Sequence, residues 1–328
     1  MRILLLNRKK IESGGITVVA ILYFILGLGL LYYGADYLVK GGANIALKLK
    51  VSPLVIGLTL VAYGTSAPEL VVSVDAALKG LGDVSLGNIV GSNTCNIALI
   101  LGLCAVITPL QVNPKLLKFD IGIMIASAAM LTGFYVLNSG VNRWEALLFL
   151  AGCIACTFWS FYSSRKEGAT TAEEDVPKAK YGMILSIIMV AGGLAALVCG
   201  AKLFVNSAVA MAQWCGVSEA VIGLTVVAVG TSLPELATSV VAAIKKEQDI
   251  AVGNVVGSNI FNILGILGVA PLINPVNTQG ISYVDMGVML FVTVLLYPVM
   301  KSGMKISRKE GCVLLGIYII YTVYLIMK

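Results

Sequence analysis

The sequence predicts an all-α polytopic membrane protein in which ten transmembrane helices form two inverted five-helix repeats. Three observations lead to this fold class: the chain is very apolar, its apolar runs are as long as membrane spans, and its two halves resemble each other. Of its 328 residues, 58% are hydrophobic and only 12% are charged, a balance far from that of soluble domains. Such a composition is typical of a chain that lies in lipid.

The spans can be read from runs of about 20 apolar residues, the length that crosses a bilayer. Ten candidate spans begin near Ile16, Pro53, Asp83, Phe119, Trp144, Tyr181, Glu219, Ile250, Tyr283 and Gly311. None has the short apolar core and cleavage site of a signal peptide. A charged stretch from Ser163 to Lys180 divides the chain, so we predict a first repeat at 1–162, a linker at 163–180 and a second repeat at 181–328.

Basic residues predict the orientation in the membrane. Fifteen of the 23 Lys and Arg residues fall in the loops after spans one, three, five, seven and nine. Because basic loops stay in the cytoplasm, the linker 163–180 is predicted to be cytoplasmic and both termini are predicted to lie outside the cell membrane. Arg2, Arg8, Lys9 and Lys10 precede span one and favour the opposite orientation. The sequence leaves that conflict open.

Composition also excludes several kinds of chemistry. The chain has no histidine, so Ser-His-Asp hydrolysis, histidine proton relays and His-ligated zinc are absent. We therefore expect no enzyme activity and no organic cofactor. The pI is near 8.9, but the Lys and Arg residues sit at span ends rather than in one patch, so nucleic acid is not an expected partner. The expected partner is the lipid bilayer, and no obligate protein partner is implied.

The two halves are related by a repeat at an offset of 166 residues. Residues 57–109 match residues 223–275 at 30 of 53 positions without a gap. Weaker matches upstream extend each repeat to five spans. Because five is odd, consecutive repeats cross the membrane in opposite directions and form an inverted pair. This architecture is typical of transporters, whose sites lie near the midplane on discontinuous helices. We expect spans two, three, seven and eight to be broken and to form the site.

Each repeat contains the pattern Gly-x-Thr-x-x-Ala-x-Gly-Thr-Ser-x-Pro-Glu-Leu, which ends in Pro68-Glu69-Leu70 and in Pro234-Glu235-Leu236. Proline lacks an N–H and frees the carbonyl four residues earlier, so the helix should break there. Free carbonyls at membrane depth are tolerated only in buried or hydrated places, and they are suitable ligands for hard cations.

Glu69 and Glu235 follow these prolines inside apolar runs, where a lone charge costs about 2.5 to 3.5 kcal/mol. No Lys or Arg occurs within either motif, so the neutralising partner is a proton, a bound cation, or each in turn. If the two carboxylates meet, one Ca²⁺ balances both. Asp36 and Asp75 are not expected in the site, because Lys202 and Val241 occupy the equivalent positions.

A second motif follows in each half, as residues 87–96 and 253–262, and supplies neutral oxygens. Asn88, Ser92 and Asn96 are spaced four apart and share a helical face that should point at the carboxylates, as should the equivalent face of the second repeat. The glycines of this motif, Gly87, Gly91, Gly253 and Gly257, are spaced so that helices can approach closely.

These two motifs, read as GTSAPEL with GNIVGSNTCN and as GTSLPEL with GNVVGSNIFN, resemble the signature repeats of the calcium/cation antiporter superfamily. The resemblance is to its sodium/calcium exchanger branch and covers nearly the whole chain. It implies exchange of Na⁺ for Ca²⁺ by alternating access, with these ions as the transported cargo. It also implies a Ca²⁺ site at Glu69 and Glu235 with backbone oxygens near Thr65 and Thr231. Further ligands implied for Na⁺ and the centre are the Ala62 and Ala228 carbonyls, Ser66, Ser92, Ser232, Ser258, Asn96 and Asn262.

The sequence departs from some members of that branch at Asn262, where they carry aspartate. Two formal charges therefore remain in the centre, which leaves the ion stoichiometry open. A K⁺-dependent exchanger and an H⁺-coupled exchanger of another cation remain alternatives, although the Gly-Asn-Ala-x-Glu motif of cation/proton exchangers is absent. A cation channel could use the same carboxylates as a filter, but inverted repeats favour a transporter.

Overall fold

The computed structural model describes residues 2–168, 179–215, 228–278 and 280–327. Nearly all of this part of the chain is helical, which confirms the predicted fold class. A single helical turn, Ala228–Gly230, precedes the eighth helix. The helices are α1 (Arg2–Leu49), α2 (Pro53–Thr65), α3 (Ala67–Leu78), α4 (Gly82–Ile107), α5 (Leu116–Asn138), α6 (Arg143–Gly168), α7 (Met183–Trp214), α8 (Leu233–Ile244), α9 (Gln248–Ile273), α10 (Tyr283–Lys301) and α11 (Arg308–Met327).

The described helices account for nine membrane spans. Eight are long and apolar enough to cross a bilayer, and the bent pair α2 and α3 makes a ninth. The span starts in this part of the chain agree with the predicted ones to within three residues. The predicted start of span seven, near Glu219, lies outside the described residues, and α8 is the described part of that span. The count of ten remains a prediction.

The break in span two lies where the proline predicts it. The axes of α2 and α3 differ by 47°, and Ser66 between them has φ −81° and ψ 9°, outside the helical region. Ser232 has nearly the same backbone angles, φ −87° and ψ 8°, at the start of α8. Both bends come two residues before a proline, because its missing N–H and its ring disrupt the preceding turn.

Spans three and eight depart from the expectation that they are broken. α4 and α9 are each continuous and instead contain π-helical segments, Cys95–Leu101 and Phe261–Ile266. Neither contains a proline near its motif, so no hydrogen bond is forced open. A π segment adds one residue to a turn and is frequent at functional sites. Asn96 and Asn262 are the second residues of these segments.

The arrangement of helices is that of a polar centre inside an apolar shell. In the most apolar 18-residue stretch of each helix, 78% of the residues are buried in α4 and in α9, but only 17% are buried in α6 and in α11. α4 and α9 are therefore central and α6 and α11 are peripheral. Large apolar side chains such as Trp144, Phe158 and Ile320 are exposed on the outer surface, as expected for side chains that face lipid.

α1 and α7 form a tightly packed antiparallel pair. A methyl group placed on Gly34 would lie 2.8 Å from the Gly193 carbonyl oxygen, and one on Gly193 would lie 2.7 Å from the Gly34 carbonyl oxygen. The two backbones touch at this point, as small residues allow. At one end of the pair, Asn44 of α1 donates to Ser186 Oγ of α7 at 2.7 Å.

Four short strands join the two halves of the chain. β1 (Leu110–Gln111) pairs with β4 (Lys305–Ile306), and β2 (Gly140–Val141) pairs with β3 (Val276–Asn277), both antiparallel. At the offset of 166, β1 corresponds to β3, and β2 corresponds to β4 to within one residue. Each sheet therefore joins one repeat to the other, and the two sheets are equivalent positions of the pseudo-symmetric pair.

Close backbone packing against α9 gives a first prediction. A methyl group on Gly257 would lie 2.3 Å from the Leu58 carbonyl oxygen, so Gly257→Ala forces α2 and α9 apart. Overpacking of this kind costs about 1 to 3 kcal/mol. We expect a clearly lower thermal midpoint in detergent, measured by tryptophan fluorescence.

The matched control is Gly287→Ala on α10, where a methyl group meets nothing within 4 Å among the described residues. This variant should keep the thermal midpoint of the parent protein. Equal midpoints for the two variants would contradict the close approach of α2 and α9.

Candidate ion-binding site

Glu69 and Glu235 lie at the centre of the molecule with no exposed surface. Each stands in the first turn of a helix, α3 and α8 respectively. The proline before each glutamate ends one helical segment, and the next segment starts with its N-terminus at the site. Because a helix N-terminus carries partial positive charge, it favours a carboxylate in its first turn. The local break thus both exposes backbone and stabilises the acid.

The two repeats meet through reciprocal hydrogen bonds at these carboxylates. Ser66 Oγ donates to Glu235 Oε1 at 2.7 Å, and Ser232 Oγ donates to Glu69 Oε1 at 3.2 Å. Each serine therefore donates a hydrogen bond to the glutamate of the opposite repeat. The two acids therefore lie at one centre, and the two serines are equivalent at the 166-residue offset.

Four buried oxygens of the site have no hydrogen-bond partner in the described structure. They are Oε2 of Glu69, Oε2 of Glu235, Oδ1 of Asn96 and Oδ1 of Asn262. A buried acceptor without a donor costs about 1 to 3 kcal/mol, and more when it is charged. These atoms form two pseudo-symmetric pairs, one of carboxylates and one of amides. A cation is a partner that such a set of acceptors can share.

In the described part of the chain, no recorded ion pair joins a basic side chain to either acid. The recorded ion pairs include Asp36 with Lys40 and Lys245, and Asp75 with Lys79. Neither glutamate of the centre is among them. The same part of the chain contains no group of three or more Cys, Asp and Glu side chains suited to a metal. The site therefore has two carboxylates surrounded by neutral oxygens, a composition suited to hard monovalent or divalent cations.

In the second motif, Asn88 and Asn254 do not make the contacts with the carboxylates that were predicted. Asn88 Nδ2 donates to the backbone oxygen of Glu69 at 3.1 Å and to Ser73 Oγ at 3.0 Å. Asn254 makes the equivalent bonds to the Glu235 backbone oxygen, at 3.4 Å, and to Ser239 Oγ. These asparagines contact the glutamate backbones and not the carboxylates. They hold α4 against α3 and α9 against α8.

Contacts place several of the other expected residues near the same centre. Ser258 Oγ donates to the Ala62 carbonyl oxygen at 3.4 Å, and Thr65 Oγ1 donates to the same oxygen at 3.2 Å. Ser92 is buried on α4, and Thr231 lies beside Glu69. Ala228 is the first residue of a helical turn.

Sequence reasoning left Asn93 and Asn259 out of the candidate site, and the structure places both in it. Asn96 Nδ2 donates to Asn259 Oδ1 at 3.1 Å, and Asn262 Nδ2 donates to Asn93 Oδ1 at 2.9 Å. The helical spacing of four selected the face of Ser92 and Asn96, which excludes their neighbour Asn93. The repetition of Asn93 as Asn259 in both motifs was the available signal.

This fold and site are those of a membrane transporter for cations, because two copies of one motif bring their carboxylates to a buried centre among apolar helices. The family model described as sodium/calcium exchanger protein matches residues 19–162 and 185–327. The chain belongs to this family of exchangers. Membership agrees with the expectation that the protein is a transporter and not an enzyme.

Individual relatives agree over almost the whole chain. The putative antiporter CaxA of Alkalimonas amylolytica is 38% identical over 315 residues, covering 93% of this chain and 98% of CaxA. The sodium/calcium exchanger MaX1 of Methanosarcina acetivorans is 37% identical over 342 residues, covering 93% of this chain and 97% of MaX1. A solved structure of the sodium-calcium exchanger NCX_Mj, soaked without Na⁺ and Ca²⁺, superposes with a TM-score of 0.81 at 35% identity, covering 94% of this chain and 99% of that one.

The unpartnered oxygens give a second prediction. A cation that binds the folded protein stabilises it, by about 2.7 kcal/mol at a concentration of 100 times its Kd. Ca²⁺ should therefore raise the thermal midpoint of the purified protein, and Glu69→Gln or Glu235→Gln should abolish that rise. Asp75→Asn is the matched control, because Asp75 is an exposed partner of Lys79. A Ca²⁺-dependent rise that survives in either glutamine variant would exclude the centre as the binding site.

Proposed function

We propose that this protein is a secondary antiporter that exchanges Na⁺ for Ca²⁺ across the cell membrane by alternating access. The four unpartnered oxygens at the meeting point of the repeats carry the proposal. Two are carboxylate and two are amide oxygens, and Ca²⁺ takes six to eight oxygen ligands at about 2.3 to 2.6 Å. Backbone and hydroxyl oxygens around them supply the remainder. The descriptions of MaX1 and NCX_Mj as sodium/calcium exchangers support the same activity, and that of CaxA as a putative antiporter supports antiport.

The ligands divide between the two cargo ions. Glu69 and Glu235 bind Ca²⁺ together with backbone oxygens near Thr65 and Thr231, and they are shared with Na⁺. The other proposed ligands are the Ala62 and Ala228 carbonyls, Ser66, Ser92, Ser232, Ser258, Asn96 and Asn262. Because both ions need the same carboxylates, Ca²⁺ and Na⁺ exclude each other. Exclusive occupancy couples their movements.

Charge balance then limits which loads can cross. Two carboxylates in a low dielectric repel each other strongly unless a cation lies between them. One Ca²⁺ or two Na⁺ neutralises the pair, and a third Na⁺ leaves one positive charge. Exchange of three Na⁺ for one Ca²⁺ moves one net charge, which a membrane potential drives with about 2.3 kcal/mol per 100 mV. Exchange of two Na⁺ for one Ca²⁺ is electroneutral.

The gate pair α1 and α7 is the moving part in this proposal. Its two helices pack tightly against each other, and they lie against the core helices α2 and α8. Sliding of the gate pair past the core opens the site to one face and then to the other. The loop 163–180 is cytoplasmic, both termini are outside, repeats 1–162 and 181–328 form the two halves, and the working unit is a monomer.

Transport by reconstituted protein gives a third prediction. An outward Na⁺ gradient should drive ⁴⁵Ca²⁺ into proteoliposomes, and Glu69→Gln or Glu235→Gln should reduce this flux to the level of empty vesicles. Asp75→Asn should keep the parent rate. Uptake driven equally by a K⁺ or a pH gradient without Na⁺ would favour the alternative exchangers. An imposed potential that changes the initial rate identifies the electrogenic stoichiometry.

An ion pair joins the gate pair to the core at one face of the membrane. Asp36 of α1 is almost fully buried and pairs with Lys245, which follows α8. It also pairs within its own helix with Lys40 at 2.8 Å. At the offset of 166, the positions equivalent to Asp36 and Lys245 carry Lys202 and Lys79. The mirrored contact would bring two positive charges together. The pair therefore favours the state in which α1 closes this face.

The asymmetry of this ion pair gives a fourth prediction. Lys245→Gln should loosen the closed face, which raises hydrogen–deuterium exchange in residues 233–246 and lowers it in the equivalent segment 67–80. Lys40→Gln is the control, since it removes only the pair within α1 and should leave both segments unchanged. Equal exchange in the two variants would show that the link between gate and core does not bias the states.

A further inference from the structure

Four asparagines cross-link the repeats beside the proposed ion site. Asn96 and Asn262 each direct the amide nitrogen to an asparagine of the opposite repeat, Asn259 and Asn93 respectively, at 3.1 and 2.9 Å. All four side chains are at least 98% buried. The Oδ1 atoms of Asn96 and Asn262 have no partner in the described structure. The donor end of each ligand amide is therefore occupied, and its acceptor end is available.

We propose that Asn93 and Asn259 are positioning residues that fix the amide orientation of Asn262 and Asn96, so that an oxygen and not an NH₂ group faces the cation. The proposal rests on the proposed function of the centre. A primary amide is nearly symmetric in shape but has opposite polarity at its two ends. A rotation of 180° about its last bond would replace a ligand by a group that repels the ion. The neighbouring acceptor decides between these orientations.

The positioning residues are themselves oriented by acceptors outside the ligand set. Asn93 Nδ2 donates to the backbone oxygen of Asn259 at 3.4 Å. This bond turns Asn93 Oδ1 toward Asn262. Asn259 Nδ2 donates to the Met124 sulfur at 3.7 Å, which turns Asn259 Oδ1 toward Asn96. A chain of two hydrogen bonds, called a relay below, thus runs from an outer acceptor through one asparagine to each ligand amide.

The two relays differ in strength. A backbone carbonyl is a strong acceptor held by the helix, whereas a thioether sulfur is a weak one on a flexible side chain. The position equivalent to Met124 is Leu290, which has no acceptor. Asn262 is therefore held more firmly than Asn96. Loss of Asn93 should consequently change ion binding more than loss of Asn259.

The expected effect depends on the charge of the ion. Ca²⁺ is attracted to an oxygen, and repelled by an NH₂ group, more strongly than Na⁺ is at the same distance. Removal of Asn93 frees the Asn262 amide to rotate, and a net hydrogen bond of this kind corresponds to roughly three- to tenfold in affinity. We expect Asn93→Ala to weaken Ca²⁺ binding by that factor and Na⁺ binding by less.

A structural alternative is that Asn93 only holds the two helices together. A positioning role and a helix-contact role predict different outcomes for double variants. If Asn93 acts through Asn262, Asn93→Ala has no further effect on Ca²⁺ affinity once Asn262→Ala is present. In the Asn96→Ala background it keeps its full effect, because Asn96 belongs to the other relay. A helix contact would give the same loss in both backgrounds.

The experiment measures cation-dependent thermal midpoints of the full chain in detergent, titrated separately with Ca²⁺ and Na⁺, for the parent, the three single variants and the two double variants. The proposal is supported if the effect of Asn93→Ala on stabilisation by Ca²⁺ disappears only in the Asn262→Ala background. Equal effects in both backgrounds overturn it while leaving the proposed function intact. A parent protein that no cation stabilises overturns both. If Asn93→Ala does not fold, Asn259→Ala is measured in the same two backgrounds, where its effect should disappear with Asn96→Ala.

Discussion

Two acidic side chains are held at the centre of this membrane protein, and none of its recorded ion pairs supplies them with a positive charge. Glu69 and Glu235 have no exposed surface, and one oxygen of each has no donor. Burial of such groups is unfavourable unless something shares the charge. Much of the remaining structure brings the two acids together: the proline breaks, the restarted helices and the inverted repeats. In the proposed function, the transported cation is the partner that shares this charge.

Pseudo-symmetry explains how one short motif can build a whole site. A motif used once supplies half of the oxygens, and the inverted copy supplies the other half from the opposite direction. The bonds cross between copies, with Ser66 on Glu235 and Ser232 on Glu69. Neither repeat contains a finished site. The meeting plane of the repeats is therefore the part of the fold on which both ion binding and alternating access depend.

Departures from symmetry matter as much as its presence. Asp36 has Lys202 as its counterpart, and Met124 has Leu290. A perfectly symmetric protein would have two states of equal energy, related by exchange of the repeats. The difference at Asp36 favours one state of the gate pair over the other. The difference at Met124 means that one ligand amide is held more firmly than the other. These residues lie outside the matching motifs, so similarity between the halves does not reveal them.

The sequence by itself determined the fold class, most of the span positions and the two glutamates. Apolar length, the 166-residue repeat and Pro68 with Pro234 depend on local chemistry, which can be read residue by residue. Only the tertiary structure decided how the amides are oriented, that α4 and α9 widen into π segments without breaking, and that Asn93 and Asn259 belong to the site. The physical reason is clearest for the asparagines, whose orientation depends on atoms of the opposite repeat, more than 130 residues away along the chain. Helical spacing within one span carries no information about such a partner.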